Sequence, residues 1–156
     1  MAGGLKAYIK IGKLPGESMK QARADKGYSD LISATTSGQC NWDFSQEHAP
    51  TRMMVFSGIS VTKYVNGSTP ILLIACLKEK LLKEMEIVVE NDKGEDFFFL
   101  RMKGEVRITT DALSFEGNQM VESITFAGKI LEVEHKPKGK KDDINWSDIT
   151  QKGAEI

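Results

Sequence analysis

The residues best suited to metal binding or nucleophilic catalysis are few in this sequence. It contains two histidines, His48 and His135, and two cysteines, Cys40 and Cys76. A metal site needs several converging ligands, and neither histidine stands in a spacing such as C-x-x-C or H-E-x-x-H. A nucleophilic cysteine needs an activating base, and nothing beside either cysteine supplies one. We therefore predict no catalytic residue, no metal site and no cofactor, and we expect two free thiols, with a disulfide between them as the open alternative.

Three other patterns favour structural roles. Gly12 and Gly16 are spaced like glycines of a phosphate-binding loop, but no Lys-Ser or Lys-Thr follows, so we interpret them as turn residues. The basic stretch at 136–141 is interpreted as a solvated tail, because the whole chain has 21 Lys and Arg against 22 Asp and Glu. Three glutamates on one predicted strand are interpreted as its solvated face: Glu84, Glu86 and Glu90.

Strands dominate the predicted elements. Apolar and polar residues alternate cleanly over 5–11, which is typical of a half-buried strand. Further strands are predicted from β-branched and aromatic residues or from alternation, at about 28–36, 55–65, 84–90, 96–108 and 121–134. The three consecutive phenylalanines at 97–99 must point to both faces of their strand. The sequence leaves open whether the outer face is covered by the chain itself or by another chain.

One helix and one long loop interrupt these strands. Ser68 and Thr69 precede Pro70, which predicts a hydroxyl-capped helix start and a single flanking helix at about 69–80. No sustained periodicity is visible at about 37–54, so a long extended loop is predicted there, and a connection is predicted at 111–119.

Together these elements predict a mainly β fold. The absence of βαβ alternation excludes a parallel nucleotide-binding sheet, and many short strands around one helix favour a compact antiparallel two-sheet β-barrel with one flanking α-helix. The length of 156 residues suits one domain. We predict a barrel domain over 1–135 and a partly flexible C-terminal extension over 136–156.

The composition and net charge exclude two classes of binding partner. Apolar residues make up 40% and charged residues 28%, and the formal net charge is -1. This balance is typical of a globular protein and gives no broad electrostatic surface for nucleic acid or anionic lipid, so we predict neither nucleic-acid binding nor membrane insertion. The sequence shows no signal peptide and no apolar run long enough to span a bilayer, which predicts a protein made in the cytoplasm.

One long motif resembles a known family. It reads Val61-Thr62-Lys63-Tyr64, three variable residues, Ser68-Thr69-Pro70, then Leu72 and Ala75-Cys76, and it resembles the signature of the Hcp (haemolysin-coregulated protein) family. Further segments resemble that family in the same order along the chain, at 8–11, 16–18, 122–127 and 145–147.

The resemblance implies a structural rather than a catalytic role. It implies the same barrel with one helix, six copies that close into a ring, and rings that stack into the hollow inner tube of a type VI secretion system. A contractile sheath surrounds this tube, a spike protein forms its tip, and small effectors travel in its lumen. The protein would be cytoplasmic before firing and then secreted without a signal peptide. The alternative from a different class is a monomeric β-barrel module that binds a peptide or ligand in a pocket lined by Phe97 or Phe99.

The resemblance also implies roles for particular residues. Ser33 and Thr35 would line the lumen, although the segment 33–36 lacks the tryptophans that the family carries there. Four residues of the long loop would contact the next ring: Trp42, Phe44, Met53 and Val55. Seven residues would form the scaffold motif: Thr62, Lys63, Tyr64, Ser68, Thr69, Pro70 and Cys76.

Overall fold

The computed structural model describes residues 5–45 and 51–145, and at positions 51–53 and 55 it describes the backbone alone. In this part of the chain it has two α-helices, α1 (Gln21–Ala24) and α2 (Thr69–Leu77), and a short 3-10 turn at Lys136–Lys138. Its strands are β1 (Lys6–Ile11), β2 (Tyr28–Asp30), β3 (Ser33–Asp43), β4 (Thr51–Tyr64), β5 (Leu82–Glu90), β6 (Asp96–Glu116), β7 (Gln119–Ala127), β8 (Ile130–His135) and β9 (Lys140–Asn145). None of the helices described is both long and apolar enough to cross a membrane.

The strands form one antiparallel array that bends into two sheets. The order is β2-β1-β5-β6-β7-β4-β3, and β8 pairs with β6 and β9. Sheet A contains β1, β2, β5, β8, β9 and the first half of β6, whereas sheet B contains β3, β4, β7 and the second half of β6. Strand β6 bends from sheet A into sheet B at Gly104 and Glu105, which have φ angles of 73° and 52°. Both lie in the left-handed region, which sharpens the bend.

The segment between β2 and β3 brings the two sheets together. The Leu31 N–H donates to the carbonyl of Ala7 in sheet A, and the Ile32 N–H donates to the carbonyl of Thr62 in sheet B. The ends of the strand order, β2 and β3, are not paired with each other within the described residues, so the array is not closed into a complete barrel. The prediction of a mainly β, antiparallel fold with one flanking helix is confirmed.

The core lies between the inner faces of the two sheets and α2. It consists of fully buried aliphatic, methionine and phenylalanine side chains, among them Ile9, Ile59, Leu72, Met85, Ile87, Met102, Ile124 and Phe126. Cys76 packs against this core as a half-buried free thiol, and Cys40 is a free, exposed thiol. Removing so much apolar surface from water is the main stabilising contribution to a domain of this size.

Three predicted boundaries were wrong. The expected loop at about 37–54 is mostly paired strand, because β3 and β4 form one long hairpin from Ser33↔Thr62 to Asp43↔Thr51. The expected connection at 111–119 is also strand, since β6 continues to Glu116. The expected long strand at 121–134 is divided into β7 and β8. Alternation marks strands with one buried face, and every residue of β3 is exposed, so β3 lacks the signal.

The helix begins where predicted but ends earlier, at Leu77 rather than near residue 80. Glu79 adopts a left-handed φ of 53°, and the Lys80 N–H donates to the Ala75 carbonyl at 2.9 Å, a pattern that terminates helices. Ser68 occupies the N-cap position, but its side chain makes no capping hydrogen bond. Its hydroxyl donates to Oδ1 of Asn66 instead, at 2.6 Å. The predicted hydroxyl cap was therefore wrong in its chemistry.

Candidate assembly surfaces and the buried motif

The β3–β4 hairpin carries all four residues expected to contact a neighbouring ring. Trp42 is 50% exposed and Phe44 is 76% exposed. Their rings stack with centroids 6.0 Å apart and an interplanar angle of 22°. Met53 pairs with Asn41 and Val55 with Gln39, while the side chains of Met53 and Val55 lie outside the described part of the molecule. The hairpin thus presents a stacked aromatic pair to solvent, which is a surface suited to burial against a partner.

The two residues expected to line a lumen lie on the outer face of sheet B. Ser33 and Thr35 are both exposed and point to the same face of β3, since they are two residues apart. Their neighbours across the sheet on that face are small, and most carry hydroxyls: Ser60, Thr62, Thr110, Ala112, Ser123 and Thr125. The hydroxyls of Ser60 and Thr125 are hydrogen-bonded at 2.9 Å. We call this surface the hydroxyl face, and none of the eight residues named carries a charge.

Sequence reasoning found two members of the hydroxyl face and missed the others. The available signal was period-two spacing of hydroxyl residues in the partner strands, Ser60 with Thr62 and Ser123 with Thr125. Such a spacing becomes informative only when strand register is known, because register decides which strands contribute to one face.

The scaffold motif surrounds a buried ion pair. Lys63 is 1% exposed and Glu122 is fully buried, and Nζ of Lys63 lies 2.8 Å from Oε1 of Glu122. Nζ also donates to Oδ1 of Asn66 at 3.1 Å. Thr69, at the first position of α2, donates its hydroxyl proton to the same Glu122 oxygen at 2.8 Å. The motif therefore joins β4, β7 and the start of α2 through one charged contact.

The other motif residues lie outside the ion pair itself. Thr62 lies on the hydroxyl face, and Tyr64 is half-exposed at the end of β4. Pro70 occupies the first turn of α2, where a missing N–H leaves no hydrogen bond unmade. The Asn66 N–H donates to the Thr69 hydroxyl oxygen at 3.1 Å, so the turn before the helix is closed by side chains as well as backbone.

Of the β5 glutamates interpreted as a solvated face, Glu84 is exposed as expected, but the expectation was wrong for Glu90. Glu90 is buried, and it accepts hydrogen bonds from Lys20 at 2.8 Å and from both Nε and Nη2 of Arg23, at 3.0 and 2.7 Å. Although burial opposes its ionisation, these hydrogen bonds from Lys20 and Arg23 hold the pKa of Glu90 below its usual value. The guanidinium of Arg23 also lies over the rings of Tyr8 and Tyr28, 5.0 and 5.4 Å from their centroids.

A second ionic network covers the outer face of sheet A. Arg101 contacts three carboxylates, those of Glu86, Glu132 and Glu134, each at 2.8 Å. Lys141 reaches Glu132 at 3.3 Å, so this lysine of the basic stretch is not simply solvated. Sequence reasoning missed both networks, because the carboxylates and their cations come from elements that are distant in sequence.

Two of the three phenylalanines, Phe97 and Phe99, pack against other parts of the same chain. Phe99 is buried with Tyr8, Tyr28 and Val88 beneath Arg101, whose guanidinium lies 4.3 Å from the Phe99 centroid. Phe97 packs edge-on against His135 with centroids 5.0 Å apart. A cavity of about 840 Å³ lies instead at the start of β1, beside the β5–β6 turn, and neither Phe97 nor Phe99 lines it. Within the described chain, no three His, Cys, Asp or Glu side chains are grouped to hold a metal.

Comparisons with known proteins identify the family. A family model described as a type VI secretion system effector, Hcp, matches residues 8–135, whereas no curated protein matches the chain. A crystal structure of an Hcp protein superposes with a TM-score of 0.75 at 19% identity and covers 90% of this chain and 99% of its own. Hcp1 from E. coli EAEC 042, a double mutant, superposes with a TM-score of 0.75 at 15% identity and covers 92% of this chain and 98% of its own. Hcp1 from Salmonella typhimurium superposes with a TM-score of 0.74 at 11% identity and covers 93% of this chain and 97% of its own. This chain therefore belongs to the Hcp family and is a structural component of the type VI secretion tube.

Proposed function

We propose that this protein forms homo-hexameric rings that stack into a hollow tube, with the hydroxyl face of sheet B toward the lumen and the β3–β4 hairpin contacting the next ring. The hydroxyl face carries this proposal. Its members are small and uncharged, and they extend across four strands to the exposed strand β3. A surface of this kind neither binds cargo tightly by charge nor narrows a channel with large side chains.

The edge of sheet B supports closure into a ring. β3 ends the strand order, and its backbone pairs only with β4 among the described strands. An exposed edge strand of 11 residues is a strong template for a neighbouring copy. A contact between two different surfaces of identical subunits produces a ring if the rotation closes. We infer that β3 takes part in the contact between neighbouring subunits of one ring.

The tip of the hairpin supports stacking. Trp42 and Phe44 hold their aromatic surface in solvent. Burial of an aromatic pair on a partner contributes about 25 cal/mol per Å² of apolar area, so the tip is the favoured place for a contact between rings. Met53 and Val55, on the partner strand, belong to the same proposed contact.

The proposed tube implies three further partners. We infer that a spike protein occupies the tube tip, that a contractile sheath surrounds the outer surface, and that small effectors occupy the lumen. We also infer that the protein waits in the cytoplasm before firing and leaves the cell when the sheath contracts. Its role is assembly and transport rather than catalysis.

Native mass spectrometry and negative-stain electron microscopy test the ring and the tube. We expect six copies in one particle and annular images that stack at high protein concentration. A Trp42→Asp, Phe44→Asp double variant should keep its rings and its melting temperature but lose stacking, because both side chains are exposed in the subunit. The matched variant Trp42→Phe keeps the aromatic surface and should still stack.

Three other outcomes would change the proposal. A wild-type protein that stays monomeric at high concentration would overturn the ring and favour a monomeric ligand-binding module. A double variant that stacks as well as the wild type would move the ring-to-ring contact away from the hairpin tip. A reconstruction of the ring with the hydroxyl face turned outward would overturn the proposed lumen.

A further inference from the structure

Two buried carboxyl groups face each other beneath the start of α2. Asp111 lies on β6 and Glu122 on β7, and the two strands are paired through Asp111↔Ile124 and Leu113↔Glu122. Both side chains point to the inner face of sheet B, which also carries Lys63 from β4. Three strands therefore contribute one ionisable side chain each to the same buried region.

The hydrogen bonds of this region are incomplete if both carboxyl groups are ionised. Oε1 of Glu122 accepts hydrogen bonds from Lys63 and Thr69. Oε2 of Glu122 and both carboxyl oxygens of Asp111 are buried, and no donor reaches them from the described residues. A buried acceptor without a donor destabilises the folded state, and more so when it is charged. Three such oxygens in one buried region indicate that a hydrogen-bond donor is missing when both carboxyl groups are ionised.

The charges around Asp111 do not balance two carboxylates. Glu122 faces it from β7 and Lys63 from β4. The helix packed over them, α2, has the sequence TPILLIACL and contributes the Thr69 hydroxyl but no charged group. On Asp111's own strand, a β-bulge lies between Ile108 and Thr110, so the neighbours on the same face are Ile108 and Leu113, neither of which is charged. One lysine thus faces two acids in a region closed by an apolar helix, and a proton is the smallest group that corrects both the charge and the missing donor.

We propose that Asp111 carries a proton at neutral pH and donates it to Oε2 of Glu122, so that the attachment of α2 to sheet B depends on this proton. Protonation leaves Lys63 and Glu122 as one balanced ion pair and supplies the absent donor. It satisfies Oε2 of Glu122 directly.

The electrostatics agree with this assignment. Burial first, then the hydrogen bond with Glu122 and its negative charge, raise the pKa of Asp111 to about 8, against the opposing effect of Lys63. At neutral pH the proton is therefore held, and above that pKa a second negative charge enters the region between the two strands and α2.

The folded protein loses stability as pH rises through this range. An aspartate in an unfolded chain ionises near pH ~3.9. Between that value and the raised pKa of about 8, the folded protein holds one proton more than the unfolded chain. The stabilisation is complete below the pKa of the unfolded chain and is lost as pH rises through the pKa of the folded protein. Between these two pKa values the equilibrium constant for unfolding increases up to about tenfold per pH unit.

Asp111→Asn tests the proposal because an amide donates to Glu122 at every pH. Urea unfolding should be measured from pH 5 to 9 for the wild type, for Asp111→Asn and for Asp92→Asn, which removes a carboxylate from an exposed turn. We expect the ratio of wild-type to Asp111→Asn unfolding constants to rise up to about tenfold per pH unit until about pH 8, and then to level off. Groups that titrate in both proteins cancel in this ratio. Asp92→Asn should follow the wild type, and parallel curves for the wild type and Asp111→Asn would overturn the proposal.

A measurement on the wild type keeps the test valid if Asp111→Asn does not fold. The side-chain carboxyl carbon of Asp111 can be followed by NMR from pH 5 to 10. We expect it to remain at the protonated position at pH 6 and to titrate near pH 8, with the Thr69 and Leu72 amide signals moving at the same midpoint. An Asp111 signal already at the ionised position at pH 6 would overturn the proposal.

Discussion

Lys63 explains, at the scale of single residues, why the longest motif of the sequence has its composition. Its ammonium group is buried and contacts Glu122, Asn66 and the hydroxyl of Thr69. The motif spacing between Lys63 and Thr69 is the length of chain needed to leave β4, turn, and begin α2 over the same ion pair. The sequence identified these residues as scaffold, but the ion pair was not predictable, since Glu122 is contributed by a distant strand.

Replacement of Lys63 by methionine should destabilise the protein strongly. The variant keeps a similar volume but leaves Glu122 as a buried carboxylate without its cation, which costs about 3–5 kcal/mol of unfolding free energy. Urea unfolding at pH 7 measures this loss. Lys83→Met, at an exposed lysine of β5, is the matched control and should stay within about 0.5 kcal/mol of the wild type.

The double variant Lys63→Met, Glu122→Leu separates charge from packing. Because an apolar pair often replaces a buried ion pair at little cost, the second substitution should recover most of the lost stability. Equal stabilities of Lys63→Met and Lys83→Met would contradict the view that the buried ion pair organises the motif.

The β3–β4 hairpin shows, at the scale of elements, where prediction from sequence reaches its limit. The strand β1 was predicted closely because one of its faces is buried and its residues alternate. β3 has two exposed faces, so burial imposes no alternation on residues such as Ser37, Gly38 and Gln39. The helix was predicted correctly at its start because Pro70 and the hydroxyl residues before it act locally, whereas its end depends on the left-handed Glu79, which has no comparable sequence signal.

Gly58 should be sensitive to substitution because of where β4 crosses β7. Its φ is +80°, and a Cβ atom built there would lie 2.5 Å from the carbonyl oxygen of Phe126. Gly58→Ala should therefore cost about 2 kcal/mol of unfolding free energy through backbone strain and the displaced strand. Urea unfolding measures the effect. Gly38→Ala, on the facing strand, has no neighbouring atom within 4 Å and should change stability by less than about 0.5 kcal/mol. A similar cost for both variants would show that Gly58 has no special role.

Charge pairing governs, at the scale of the whole molecule, how stability responds to acid. The pKa values of Glu90 and Glu132 are both held low: burial opposes ionisation, but the hydrogen bonds from Lys20 and Arg23, and from Arg101, Lys141 and Lys103, outweigh it. Carboxylates with lowered pKa contribute stability that is present above their unfolded value, about 4.3 for glutamate, and is lost as pH falls through the folded value.

Removal of Arg23 should weaken the protein at neutral pH and reduce its sensitivity to acid. Arg23→Ala leaves the buried Glu90 with Lys20 and Tyr8, so we expect a loss of about 3 kcal/mol at pH 7. The loss should be smaller at pH 3.5, where Glu90 becomes protonated more readily in the variant. Urea unfolding at the two pH values measures both effects, with the exposed Arg107→Ala as control. An equal loss at both pH values would indicate that Arg23 stabilises by packing on Tyr8 and Tyr28 rather than by charge.

The fold class was predictable from the whole chain, while its surfaces were only partly so. Many short strands, one capped helix and no βαβ alternation were enough for a mainly antiparallel β fold. Ser33 and Thr35 could be assigned to one face by spacing, but the other members of the hydroxyl face required strand register. The bridge between the two sheets was not predictable either, because it depends on the hydrogen bonds of Leu31 and Ile32 to different sheets.

The continuity of β6 through both sheets has a mechanical consequence. This strand of 21 residues pairs with β5 and β8 in its first half and with β7 in its second. A force applied to sheet B at the proposed ring contact would therefore be transmitted to sheet A along covalent backbone, and not only through side-chain packing. In a tube that is pushed from one end, such a subunit resists shear between its two sheets, so the thrust reaches the next ring with little internal deformation.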